Sequence, residues 1–93
     1  MTSFRLRDGV DYSEFASLDG RLQTEVAYQQ PGILRRTTAH NPEGEWIVVA
    51  VWQDGDSYER ALAAVRTDPT TSDWWNAVVP ESFLHKSFHT LDE

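Results

Sequence analysis

The stretch "GILRRTTAHNPEGEWIVVAVWQ", residues 32–53, decides the fold. Its first half is rich in β-branched residues, and "EWIVVAVWQ" is the strongest strand pattern in the chain. "NPEG", residues 41–44, stands between them as a turn. Two strands joined so closely make an antiparallel hairpin. The second strand is apolar at successive rather than alternate positions, so both of its faces call for cover. Trp46 and Trp52 lie an even number of residues apart and face the same way, whereas Arg35 and Arg36 are neighbours and point to opposite faces.

Working outward, "SFRLR" (3–7) alternates Phe4 and Leu6 with polar residues and reads as a short half-buried strand. Asp11 and Glu14 then have capping-box spacing, with Val10 and Phe15 at the positions of a hydrophobic staple. Phe15, Leu18, Leu22 and Val26 continue at helical spacing until Pro31-Gly32 ends the helix. Gly20 inside it costs about 1 kcal/mol relative to Ala, so packing is expected to compensate there. After the hairpin, "DGDSYERALAAVRTD" (54–68) is a second helix, with Asp56 and Glu59 at capping-box spacing and Tyr58, Ala61, Leu62 and Val65 as its apolar stripe. "PTTSDWWNAV" (69–78) reads as a short helical turn capped by Ser72, and Pro80 breaks it before "SFLHKSFHTL" (82–91).

The order is strand, helix, strand, strand, helix, strand. That is the split plan of an α+β, ferredoxin-like βαββαβ domain with a four-stranded antiparallel sheet and both helices on one face. One domain is expected over residues 1–93. The helices leave the other sheet face bare, although residues 46–52 are apolar on both sides. The economical cover is the same face of a second chain, which predicts a homodimer through the sheet faces.

Composition narrows the function classes. A formal net charge of -7 argues against non-specific binding to nucleic acid or to an anionic membrane, because both need a basic footprint. The chain has no cysteine, which removes disulfides and thiolate metal sites and suits a reducing, cytoplasmic compartment. No apolar run approaches a membrane span, and "MTSFRLRDGVD" lacks an apolar signal core. Glycine-rich phosphate loops and nucleophile elbows are also missing from the sequence.

His85 and His89 are the residues with the clearest chemistry. On a helix they would lie one turn apart and share a metal. On a strand four residues span roughly 13 Å, too far for one ion. The fold plan needs a fourth strand here, so the pair reads as strand residues and not as a metal site. Phe83, His85, Ser87, His89 and Leu91 then share one face. A histidine facing a pocket is a candidate catalytic base, since its pKa lies near 6.5. Tyr28, Trp46, Trp52, Trp74 and Trp75 could line a pocket for a flat ligand, with Tyr28, Trp52 and Trp74 the chosen candidates, and of the two neighbouring arginines Arg35 is the candidate to hold an anionic group of it. Trp74 and Trp75 are adjacent, so both cannot face inward from one helical turn, and one of them is a candidate pocket lid or subunit contact. His40, beside the turn, is expected to be exposed and uninvolved.

The residues 29–61, "QQPGILRRTTAHNPEGEWIVVAVWQDGDSYERA", resemble the central part of a dimeric α+β barrel protein. The likeness is to the antibiotic biosynthesis monooxygenase-like group of that superfamily. It rests on Pro31-Gly32 entering the second strand, the hairpin to Trp46, the run to Trp52 and the helix start from Asp56 to Ala61. The resemblance implies a homodimer with its sheets face to face and a pocket in each subunit between sheet and helices. It implies cofactor-free oxygenation, or proton transfer, on a small aromatic or enolisable compound, without a bound cofactor. Haem-degrading members of the group use an Asn on the first strand with a Trp and a His. Here Phe4 and Leu6 occupy that strand, and the asparagines are Asn41 and Asn76, a departure that argues against haem degradation. The other reading is a non-catalytic protein that binds a hydrophobic metabolite or serves as an accessory domain.

Overall fold

The computed structural model describes residues 1–89. Strand β1 (Thr2–Arg5) is followed by helix α1 (Tyr12–Glu25), strands β2 (Ile33–His40) and β3 (Glu45–Trp52), helix α2 (Gly55–Thr67), short helix α3 (Ser72–Ala77) and strand β4 (Leu84–His85). The sheet order is β2-β3-β1-β4, and each neighbouring pair is antiparallel. This is the ferredoxin-like arrangement expected from the element order.

The register shows which residues face the helices. Phe4 pairs with Trp46 and Thr2 with Val48, while Ser3 pairs with Ile47. Phe4 and Trp46 are buried, and Val48 packs against the same core, so this set lies under the helices. Arg36, Thr38 and His40 pair with Ala50, Val48 and Trp46 and share that face. Ile47, Val49 and Val51 look the other way, with Leu84 beside Ser3. Val49 and Val51 are each 41% exposed and Leu84 is 61% exposed, so β3 is apolar on a face that this chain leaves open.

The space between sheet and helices is filled by rings. Phe4 meets Phe15 at 5.7 Å and Trp74 at 5.1 Å between centroids, and Phe15 meets Trp46 at 5.0 Å, all with steeply inclined planes. Such edge-to-face contacts add to the area these rings bury. Where Phe4, Phe15, Trp46 and Trp74 meet, the aromatic side chains occupy the space between sheet and helices. Trp74 is buried, whereas Trp75 is half-buried and meets Phe83 at 5.3 Å.

Several local details differ from the sequence reading. Asp11 precedes α1, but its side chain caps no backbone N–H; the Ser13 hydroxyl donates to its carboxylate instead. Asp54, not Asp56, caps α2 by accepting from the Ser57 N–H at 2.7 Å. Ser72 is the first residue of α3 and not its cap, because Asp68 turns the chain earlier by accepting from Thr70. Gly20 is exposed, and a Cβ there would meet nothing within 4 Å, so no packing compensates for it. Gly32 behaves otherwise: its φ is +91°, and a Cβ would stand 2.4 Å from the Ser57 side chain. Only glycine lets the start of β2 pass so close to the first turn of α2.

Strand β4 is much shorter than expected and ends at His85. The preceding segment nonetheless runs along β1: Arg7 N–H donates to Ala77 O, Val79 N–H to Arg5 O, and Lys86 N–H to Met1 O. His89 is exposed and lies beyond the strand, so the shared-face argument stops before it. Leu91 lies outside the described residues.

Candidate functional site

Two polar clusters lie on the helix side of the sheet. The first joins α1, β2 and α3. Asp19 sits within the apolar stripe of α1 and is only 7% exposed. Its Oδ1 accepts from Arg36 Nη2 at 2.8 Å and from Trp74 Nε1 at 3.0 Å, and its Oδ2 accepts from Arg36 Nη1 at 3.2 Å. Gln23 accepts a further hydrogen bond from Arg36 Nη1. Burial pushes the Asp19 carboxyl up, but the hydrogen bonds and charge of Arg36 outweigh it, so the group is held below the usual carboxylate range. The Thr38 hydroxyl is buried nearby and also helps to lower the Asp19 pKa, although it makes no hydrogen bond of normal geometry among the described residues. The two charges meet each other through paired hydrogen bonds inside the protein, which makes the cluster a fastening between layers.

Arg36, rather than Arg35, is the arginine turned toward the helices. Arg35 pairs with exposed Val51 and stands on the bare face. Tyr28, 42% exposed, takes the Arg36 N–H at 3.0 Å and donates to the Arg36 carbonyl at 3.3 Å. It thus occupies backbone groups of an edge strand, a role that protects the edge. Trp74 is committed to Asp19 and the core. The structure therefore separates the four residues expected around a ligand: Arg35 lies on one face, and Trp52 stands apart from Tyr28 and Trp74.

The second cluster centres on His85. Thr2, opposite it on β1, faces the helices, so His85 faces them too. The Thr2 hydroxyl is 3.0 Å from His85 Nδ1, and the Tyr58 hydroxyl is hydrogen-bonded to Nε2. The two rings are nearly parallel, with centroids 5.4 Å apart, and Tyr58 in turn meets Trp52 at 6.0 Å. Burial first, then the positive N-terminus and Arg66, lower the His85 pKa below its ordinary value. The imidazole is therefore neutral at neutral pH and able to accept a proton.

Beside this cluster opens a trough of about 420 Å³, lined by Arg66, Trp75, Val78, Pro80 and Phe83. Phe83 precedes His85 by two residues, and Arg66 is the same arginine that acts on His85. The Trp75 indole N–H is buried and finds no acceptor among the described residues. A buried donor left without a partner costs about 1–3 kcal/mol, so it stands out. A broader hollow of about 560 Å³ lies between α1 and α3, lined among others by Glu14, Arg21 and Asp73. The sequence offers Trp75 only as one of several aromatic candidates, and it does not single out Tyr58 or Arg66 as site residues. Tyr58 reads there as part of an apolar stripe, and no local signal links Arg66 to a histidine 19 positions away.

No family model and no curated protein matches the sequence. Solved structures do resemble it. The crystal structure of SnoaB, a cofactor-independent oxygenase from Streptomyces nogalater, superposes with a TM-score of 0.72 at 25% sequence identity. The match covers 99% of this chain and 93% of SnoaB. A point mutant of SnoaB superposes equally well, with the same TM-score of 0.72 and the same identity of 25%. These neighbours agree with the resemblance to the antibiotic biosynthesis monooxygenase-like group of dimeric α+β barrels. Among the described residues, no helix is long and apolar enough to cross a membrane.

Proposed function

We propose that this protein is a cofactor-independent oxygenase of small aromatic or enolisable compounds, with His85 as its base. The observation that carries the proposal is the His85 cluster: an accessible imidazole, neutral at neutral pH and oriented from both ring nitrogens, beside an open trough. The neighbouring oxygenase structures support the reaction class.

With its proton on Nδ1 and given to Thr2, the ring leaves Nε2 as an acceptor. Tyr58 fills that place at rest and relays a substrate proton to it. Loss of that proton leaves an electron-rich substrate anion, which itself reduces oxygen. At an activated methylene, oxygen adds to form a hydroperoxide, and loss of water leaves a carbonyl. The CH2 group gives up four electrons, and O2 accepts them as one carbonyl oxygen and one water. The protein contributes proton transfer, typically worth 10²–10⁴-fold, and a partly water-excluded position for the anion.

The bare sheet face supports a homodimer. Ile47, Val49, Val51 and Leu84 form an apolar surface that a second copy would bury. Light scattering of the purified protein is expected to give the dimer mass.

The activity is tested by oxygen uptake with dihydroxy-aromatic compounds and activated methylene compounds. His85→Ala is expected to lower the rate by about 10²-fold or more, in line with loss of a general base. The wild-type rate should fall as pH drops through a value below about 6.5, because protonation of His85 removes the base. No turnover of any substrate by folded wild-type protein would sink the proposal. A ligand recovered chemically unchanged would then favour a binding role.

A further inference from the structure

We infer that the trough beside His85 is a subsite for a small aromatic anion, held by Arg66 against the rings of Trp75 and Phe83. The inference rests on the reading above in placing the ligand next to the base, but its recognition chemistry stands on separate observations.

The lining is apolar except for one side chain that carries full charge, Arg66. Among the described residues Arg66 makes no ion pair, although the chain carries seven more negative charges than positive ones. A lone guanidinium beside apolar walls in an acidic protein selects an anionic oxygen, since it presents forked donors and is weakly hydrated. The walls select the rest of the ligand. Trp75 and Phe83 meet at 5.3 Å with their planes 53° apart, so together they form an aromatic corner. Val78 and Pro80 complete it. Flat rings stack or pack edge-on in such corners. A volume of about 420 Å³ lies within the range of small-molecule sites and suits one or two fused rings.

The Trp75 N–H is a second, independent indication. It is buried without an acceptor among the described residues, and an oxygen on the bound ring would satisfy it after a small rotation of the indole. An anion on Arg66 would also offset that arginine's effect on His85. Ligand binding should therefore raise the affinity of His85 for a proton as the substrate arrives.

Calorimetric titration of the full chain with 2-naphthoate, 2-naphthol and naphthalene-2-carboxamide tests the inference. The carboxylate is expected to bind at least about tenfold more tightly than the uncharged amide, equivalent to about 1.4 kcal/mol. That preference should vanish in Arg66→Gln, whose side chain is exposed and leaves the core intact. Trp75→Phe should weaken carboxylate and phenol alike, because it keeps the wall and removes the donor. If the phenol binds as tightly as the carboxylate, and only at a pH that ionises it, the anionic oxygen is a phenolate. Equal binding of acid and amide, a preference that survives in Arg66→Gln, or no binding of any of the three, would overturn the inference. These measurements need no turnover. Equal binding of acid and amide by the wild-type protein, with oxygen uptake intact, rejects the subsite alone; intact binding with no uptake rejects the oxygenase reading alone.

Discussion

The Asp19–Arg36 cluster and the His85–Tyr58 cluster share one side of the sheet, yet they differ in what they leave unspent. In the first, a carboxylate and a guanidinium are almost wholly buried, with side chains 11% and 6% exposed, and each is met by several partners. In the second, His85 is exposed, its partners are two hydroxyls, and an open trough adjoins it. A buried pair engaged with itself offers a substrate no access. A titratable ring beside a trough has both the proton acceptor and the room. Charge and burial alone would have ranked the first cluster as the functional one; the accessible ring and the trough beside it reverse that order.

The comparison is broken most sharply at Arg36. Arg36→Met leaves the Asp19 carboxylate buried without its cation, which should cost about 3–5 kcal/mol. Urea unfolding would show this as a large fall in midpoint, and for a domain whose total stability is of order 5–15 kcal/mol the loss is severe. The pH dependence has a definite sign. The Asp19 pKa is lowered by folding, so its contribution is present above the ordinary carboxylate value and is lost as pH falls through the lowered one. A variant as stable as wild type would show that the pair fastens nothing.

Gly32→Ala tests the other cluster indirectly. Its Cβ would overlap Ser57, the residue before Tyr58, in a backbone conformation that alanine avoids. A loss of more than about 1 kcal/mol is expected, with a fall in oxygen uptake larger than the stability change explains, because α2 carries Tyr58. Unchanged uptake in the folded variant would separate Tyr58 from the chemistry. The smallest effect lies at Gly20, exposed in mid-helix on the same helix as Asp19. Gly20→Ala should raise stability by about 0.5–1 kcal/mol and leave uptake unaltered, as thermal unfolding and the oxygen electrode would show.

How much of this was legible in the chain differs by element. The β2–β3 hairpin was readable because its turn is local: Asn41 Oδ1 accepts from Glu45 N–H, and Gly44 has a φ of +81°. The stripe of α1 was readable from its spacing, but Asp19 inside it was not singled out, since its partners are 17 and 55 residues away. His85 was singled out for its chemistry. Its neighbours were not, because α2 and β4 meet only through the fold.

The two arginines show the boundary most clearly. The sequence by itself determined that Arg35 and Arg36 point to opposite faces, because strand side chains alternate. It also determined the element order, and with it the layer of helices and the bare apolar face. Which arginine points inward was decided by a β-bulge between Ile33 and Arg35. Ile33 pairs with Trp52 and packs on the core, so unbroken alternation would bring Arg35 inward. The bulge adds one residue, Leu34, and shifts the alternation by one, which turns Arg36 toward Asp19 and leaves Arg35 outside. A period of two makes every such choice hang on a single residue of register, and register is settled by the packing of the whole domain.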